Sequence, residues 1–162
     1  MKHTTEEHSK ELSLTMYKKL AIMIVVSFIA MYILMYSMVD VFANVIPNIN
    51  QFYMAGLMTM PMLIIELLVM GSMYGNKNLN ISLVVIGFIA LILFFTGIRQ
   101  QTAVGDKEFL KSMIPPHHAA AILMGKEATV IDPEIKELIK NIITSQQAEI
   151  DQMKAKLKEL DK

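Results

Sequence analysis

The sequence predicts an all-α chain in which three transmembrane helices precede an outer helical hairpin. Two observations carry that prediction. The apolar residues gather in three blocks, each of membrane-spanning length. The segment after them repeats its apolar positions at steps of three and four, the period of an amphipathic helix. Composition agrees: 54% of the 162 residues are hydrophobic and only 19% are charged, below the roughly 25% of a usual soluble domain. The net charge is zero, so nothing in the charge balance calls for nucleic acid.

The blocks cover residues 20–39, residues 52–74 (interrupted by Glu66) and residues 79–98. A bilayer core takes roughly 20 apolar residues in a helix, and all three qualify. One such block alone is compatible with a buried core helix. Three in succession in a short chain point to a membrane. The first block exceeds the roughly 7–15 apolar residues of a secretory signal and lacks a small-x-small cleavage site, so it reads as a retained anchor.

Basic residues set the orientation. Lys2, Lys10, Lys18 and Lys19 precede the first block, residues 40–51 hold no Lys or Arg, and Lys77 sits in the second loop. The positive-inside rule places the N-terminus in the cytoplasm and everything after Arg99 on the outer side of the cytoplasmic (inner) membrane. The chain thus divides into a cytoplasmic tail (1–19), a three-span membrane domain (20–98) and an extracytoplasmic hairpin domain (105–162). His3, His8, Glu6, Glu7 and Glu11 in the tail read as a solvated, partly helical lead-in rather than a metal-binding tail.

In the hairpin, Asp106 after Gly105 reads as an N-cap. The helix it opens runs through Phe109, Leu110, Met113 and Ile114. Pro115-Pro116 removes two backbone donors, which predicts a kink or restart. His117 and His118 then open a new turn that continues to about Ala128. Asp132-Pro133-Glu134 is a second start signal: cap, proline at the first position, acid in the first turn. The last helix carries one apolar stripe through Ile135, Leu138, Ile139, Ile142, Ile143, Ile150, Met153, Leu157 and Leu160. Lys154, Lys156 and Lys158 suit its negative end. Two helices of this length bury little alone, so the hairpin is expected to pack against a second copy or the membrane domain. Two hairpins would form a four-helix bundle, a frequent host of metal sites.

The chemistry concentrates in residues 113–124, where two adjacent imidazoles lie between two thioethers. The chain has 15 methionines and no cysteine, so soft-metal binding would run on Met and His. That donor set suits Cu(I), and by extension Ag(I), better than hard cations. Met113 and His117 share a helix face if the helix is continuous. His118 and Met124 need the last helix to converge on them, and antiparallel pairing brings Met153 within reach. Gln146, Gln147 and Glu149 lie nearby to orient the imidazoles through hydrogen bonds. A helix N-terminus disfavours protonated imidazole and keeps it available as a ligand. A lone methionine in an apolar stripe is ordinarily core, however, and spacing alone balances metal binding against packing.

Within the second span, Met54, Met58, Met62, Glu66 and Met70 follow at steps of four, a row that drifts about 40° per step. Met31, Met35 and Met38 form a similar stripe in the first. An ionisable residue inside a span is a functional candidate, which singles out Glu66 with Met58, Met62 and Met70. The competing reading makes Glu66 a hydrogen-bonded lock on helix packing with a Tyr or Ser partner. Both stay open here. Pro61 would kink that span and expose carbonyls near the methionines.

The runs Phe109-Leu-Lys-Ser-Met-Ile-Pro-Pro-His-His, Ala121-Ile-Leu-Met124, Asp132-Pro-Glu and Ser145-Gln-Gln-Ala-Glu-Ile-Asp-Gln-Met153 occur in this order. In them the chain resembles the ferritin-like, Met/His-rich domain-of-unknown-function family with CopM-like copper-binding members. Tyr53-Met-Ala-Gly-Leu-Met and Pro61-Met-Leu-Ile-Ile-Glu-Leu-Leu look similar to its membrane-anchored members. The resemblance implies a ferritin-like helical bundle completed by oligomerisation. It also implies Cu(I) or Ag(I) binding, with the ligand role carried onto Met113, His117, His118, Met124 and Met153. The family pattern has one proline before the His pair where this chain has two, which alters the phase between Met113 and the histidines.

The expectation is therefore a membrane-anchored binder of soft monovalent metal at the cell envelope, contributing to copper buffering or tolerance. Its partners would be the lipid bilayer, further copies of itself and copper-handling membrane proteins. No enzyme is expected, since no nucleophile–base pair or cofactor-binding signature is visible. The alternatives are a metal-independent oligomeric scaffold whose methionines are adaptable packing, and an accessory to metal transport using the intramembrane row. Topology is directly testable because the native chain has no thiol. In right-side-out membrane vesicles, an impermeant maleimide should label Thr102→Cys and spare Ser9→Cys; the reverse pattern would invert the orientation.

Overall fold

The computed structural model describes the backbone of residues 2–162 and the side chains of residues 13–162. The side chains of His3, His8, Glu6, Glu7 and Glu11 lie outside the described ones. Six α-helices follow in order: α1 (Lys2–Leu34), α2 (Ile49–Met70), α3 (Lys77–Arg99), α4 (Asp106–Met113), α5 (Ala120–Glu127) and α6 (Pro133–Leu160). No strand occurs among the described residues. The chain forms two compact units, one from residues up to Tyr32 with Tyr53–Gln100, the other from Ile33–Phe52 with Gln101–Lys162.

Three helices are long and apolar enough to cross a membrane: Ser13–Met38, Ile49–Tyr74 and Lys77–Arg99, with mean hydropathies of 2.3, 1.8 and 2.8. Only 6%, 33% and 11% of their most apolar windows are buried within the protein. Ile22, Val25, Ile86 and Leu93 stay exposed. Helices apolar on every face, with most of that surface outside the core, suit lipid rather than water as their surroundings.

In the first unit, Leu20, Leu63, Leu67 and Tyr74 form a small core joined by Tyr17, Met23 and Leu83. Glycines on α2 and α3 leave room for aromatic rings of the facing helix, a use of small residues usual between apolar helices. A Cβ on Gly56 would stand 2.5 Å from the ring of Phe94, and one on Gly97 would stand 3.3 Å from the ring of Tyr53. Helix α2 passes through Pro61 without interruption. A polar network closes one end of the unit. Ser13 Oγ donates to the Tyr74 carbonyl at 2.8 Å. Tyr17 donates to Asn80 Oδ1 at 2.6 Å, and Asn80 Nδ2 donates to the Gly71 carbonyl at 2.8 Å. Asn76 caps α3, accepting from the Leu79 amide at 3.0 Å. Tyr74 Oη donates to Glu66 Oε1 at 2.7 Å, so Glu66 has the tyrosine partner that a packing lock requires. Met58 and Met70 are exposed and Met62 is half-buried.

The second unit is built on an antiparallel hairpin. Ile114, Ala119 and Ile122 of its first arm bury against Ile150 and Leu157 of α6, with Leu110, Ile143 and Met153 packed around them. A Cβ on Gly125 would come within 3.1 Å of Ile139 and Ile143, so the arms are close near the turn. Asp132 caps α6 as its sequence predicts, accepting from the amides of Glu134 at 2.9 Å and Ile135 at 3.1 Å. At α4 the cap position falls on Gly105, and Asp106 lies inside the first turn with Glu108. Lys107 pairs with Asp161 and ties the start of α4 to the end of α6. The Lys107 ammonium holds the Asp161 carboxyl below its usual range. This exposed pair contributes little. What it contributes is present above the ordinary carboxylate range and is lost as pH falls through the lower, folded value.

The segment between the first two apolar helices folds onto this hairpin. Val39 and Ile46 pack on its core. Asn44 is buried; its Oδ1 accepts from Lys154 Nζ and its Nδ2 donates to Asp40 Oδ1 at 2.6 Å. Asp40 also lies 3.9 Å from Lys126 Nζ. Residues 33–52 thus give the hairpin a covering layer from within its own chain.

The glycine contact yields a stability prediction. Gly56→Ala should destabilise the first unit by about 1–3 kcal/mol through overpacking, read as a lower Tm in detergent. Adding Phe94→Leu should recover part of that loss.

Candidate functional site

Pro115 and Pro116 cannot donate to the carbonyls one turn earlier. The chain does not restart there. It winds as a π turn over Ile114–Ala119 and passes directly into α5 at Ala120. Widening one turn absorbs extra residues without breaking a helix, and such turns concentrate at functional sites. The wider turn stacks residues five apart. His118 Nδ1 lies 3.0 Å from the Met113 carbonyl oxygen.

The other ring nitrogen of His118 reaches α6: Nε2 is 2.6 Å from Glu149 Oε2. His118 is only 6% exposed. A carbonyl can only accept, so Nδ1 carries a proton. The Nε2 contact needs one more proton, held by the imidazole or by the carboxyl. Both nitrogens are therefore engaged, and His118 is a strut that holds the π turn against α6.

An open cavity of about 590 Å³ lies beside this strut, lined by Met38, Met113, His117, His118, Met124, Gln146 and Glu149. Met113 and Met124 therefore share one cavity with both histidines. His117 is exposed and no described residue hydrogen-bonds its ring. Met124 is 60% exposed, so its thioether is accessible. Met153 packs on the core and lines a neighbouring cavity of about 380 Å³ together with Met113, His118 and Glu149. Gln147 bonds Asp151 at 3.1 Å on the exposed face of α6, away from the imidazoles.

Met38 is the residue that sequence reasoning left out of the site. It stands in the first methionine stripe, and its spacing gives no sign that the chain turns back there onto a distant hairpin. Among the described residues, no group of three or more His, Asp or Glu gathers to hold a metal ion. Three thioethers, from Met38, Met113 and Met124, line the cavity with the unengaged His117 imidazole, beside the Gln146 amide and the His118–Glu149 pair. Thioether and imidazole are soft donors, whereas hard cations require several oxygens.

The family model described as "Domain of unknown function (DUF305)" matches residues 96–157. "Uncharacterized protein L153" of Acanthamoeba polyphaga mimivirus is 36% identical over 144 residues, an alignment covering 85% of this chain and 90% of that protein. The chain belongs to the DUF305 family. The DUF305 match takes in α4, the π turn, α5 and most of α6, and so every hairpin residue at the cavity. The alignment with the viral protein is long enough to reach back into the apolar helices. No solved structure matches the chain.

The strut generates a test within this DUF305 hairpin. Glu149→Ala should cost about 1–2 kcal/mol, toward the low end for a hydrogen bond to a charged group because Glu149 is half exposed. Gln147→Ala should leave Tm unchanged within error. Thermal unfolding of both variants checks the contrast.

Proposed function

We propose that this protein is a membrane-anchored binder of a soft monovalent cation, Cu(I) or Ag(I), that buffers the metal at the cell envelope. One observation carries the reading: Met113, His117 and Met124 line a single open cavity beside a rigid strut. Thioether and neutral imidazole are uncharged, polarisable donors, and they favour a soft cation over Zn(II), Mg(II) or Ca(II). The roles of the two histidines divide. His117 offers a free ring to the cation. His118, engaged at both nitrogens, positions the turn that presents it. Met153 stands behind the strut and supports the core.

The three apolar helices would anchor the chain in the bilayer, and the lysine distribution supports a cavity on the outer side. Weak, accessible donors suit capture and release rather than permanent storage, so copper-handling membrane proteins are the natural source and recipient. No chemical step is involved. Ile131, just before α6, and Ile135 and Leu138 in its first turns are exposed, which supports association with a second copy into a four-helix bundle. The bond from Tyr74 to Glu66 supports packing over transport for the intramembrane row.

Competition with a chromophoric Cu(I) chelator tests the reading. His117→Ala should weaken binding roughly 10-fold or more, and Met113→Leu and Met124→Leu should each weaken it comparably, since even indirect partners of a metal matter by about 10–100-fold. Ag(I) should raise the Tm of the wild type. A wild-type protein that neither competes with the chelator nor gains stability would contradict the proposal.

A further inference from the structure

We propose that Met38 is a further ligand of this cavity, so that the bound cation ties residues 33–52 to the C-terminal hairpin. The inference rests on the soft-metal reading and extends it to a residue outside the matched DUF305 stretch.

Met38 lines the same cavity as Met113, His117 and Met124. Its neighbours in sequence behave differently from it. Val39 packs on the hairpin core, as does Ile46, whereas Met38 is 47% exposed. A methionine kept for packing would place its thioether among those residues; this one stands at the open wall. Its position is also set in advance. The 3-10 turn Met35–Met38 closes with the Val39 amide donating to the Tyr36 carbonyl at 3.0 Å. Tyr36 Oη then donates to the Ile46 carbonyl at 3.0 Å. Beyond it, Asp40 and Asn44 hold the segment to Lys126 and Lys154 of the hairpin. A donor held in place before binding costs less ordering entropy than one recruited from a loose loop.

The chemistry of the set gives Met38 a role. Two thioethers and one imidazole from the hairpin leave one side of a monovalent cation open. A third thioether from the facing segment supplies a donor of matching softness without adding charge. Ligands then come from two stretches far apart in sequence, and occupancy stabilises the closed arrangement of residues 33–52 on the hairpin by linkage.

The experiment uses the full chain in detergent micelles with Ag(I) as the probe. Met38→Leu should weaken Ag(I) affinity roughly 10-fold while leaving the metal-free Tm unchanged, because leucine replaces methionine in volume. Met35→Leu, outside the cavity lining, should bind as wild type. Met38→His, which restores a donor, should recover affinity. Ag(I) should also protect residues 33–52 from protease in the wild type but not in Met38→Leu. If Met38→Leu binds and is protected as well as wild type while His117→Ala is not, Met38 is no ligand and the soft-metal reading stands without it. If the wild type itself does not bind Ag(I), both fall together.

Discussion

Two consecutive prolines remove two amide donors from the first arm of the hairpin, and the rest of the second unit depends on how the chain absorbs that loss. A break would have released His117 and His118 from the register of α4. The π turn over Ile114–Ala119 keeps the helix running and shifts that register instead. His118 then falls beneath the Met113 carbonyl with its far nitrogen against Glu149. The strut fixes one face of the turn to α6. The opposite consequence is that His117, one residue earlier, is left facing open space beside Met113 and Met124. Buried Ile114 at the start of the turn and Ile122 beyond it hold it by packing against Ile150. A single backbone constraint thus decides which histidine is structural and which is exposed.

The two units follow different physical rules. In the first, apolar residues cover every face of the helices, and specificity comes from small-residue contacts such as Gly56 under Phe94 and from a few satisfied polar groups. Glu66 belongs to that economy. Its carboxyl is bonded to Tyr74, which removes an otherwise costly unpaired polar group from an apolar setting. In the second, one apolar stripe per helix builds a core, and charged side chains hold the surface. The 33–52 segment belongs to the second kind, with buried Asn44 and Asp40 directed to lysines of the hairpin.

Much of this was legible in the sequence. The blocks at 20–39, 52–74 and 79–98 locate the three long apolar helices to within a few residues at most ends, because span length and hydropathy need no tertiary information. Asp132-Pro133-Glu134 marks the start of α6 because a cap is a local device. The proline pair was legible only in part: locally it reads as a kink or restart, whereas the helical backbone continues through it as a wider turn. The bond from His118 to Glu149 depends on the register between two arms, which spacing narrows to a stretch that includes Gln146, Gln147 and Glu149 without choosing among them. Met38 was beyond reach, since nothing near it signals that the end of the first apolar block returns to a helix about seventy residues later.

The central claim is that thioether sulfur, presented at the π turn, binds a soft monovalent cation. X-ray absorption spectroscopy on the full-length protein loaded with one equivalent of Cu(I) tests it most directly. The structure predicts an inner shell dominated by sulfur with a single imidazole nitrogen. An inner shell of nitrogen and oxygen alone would contradict the account.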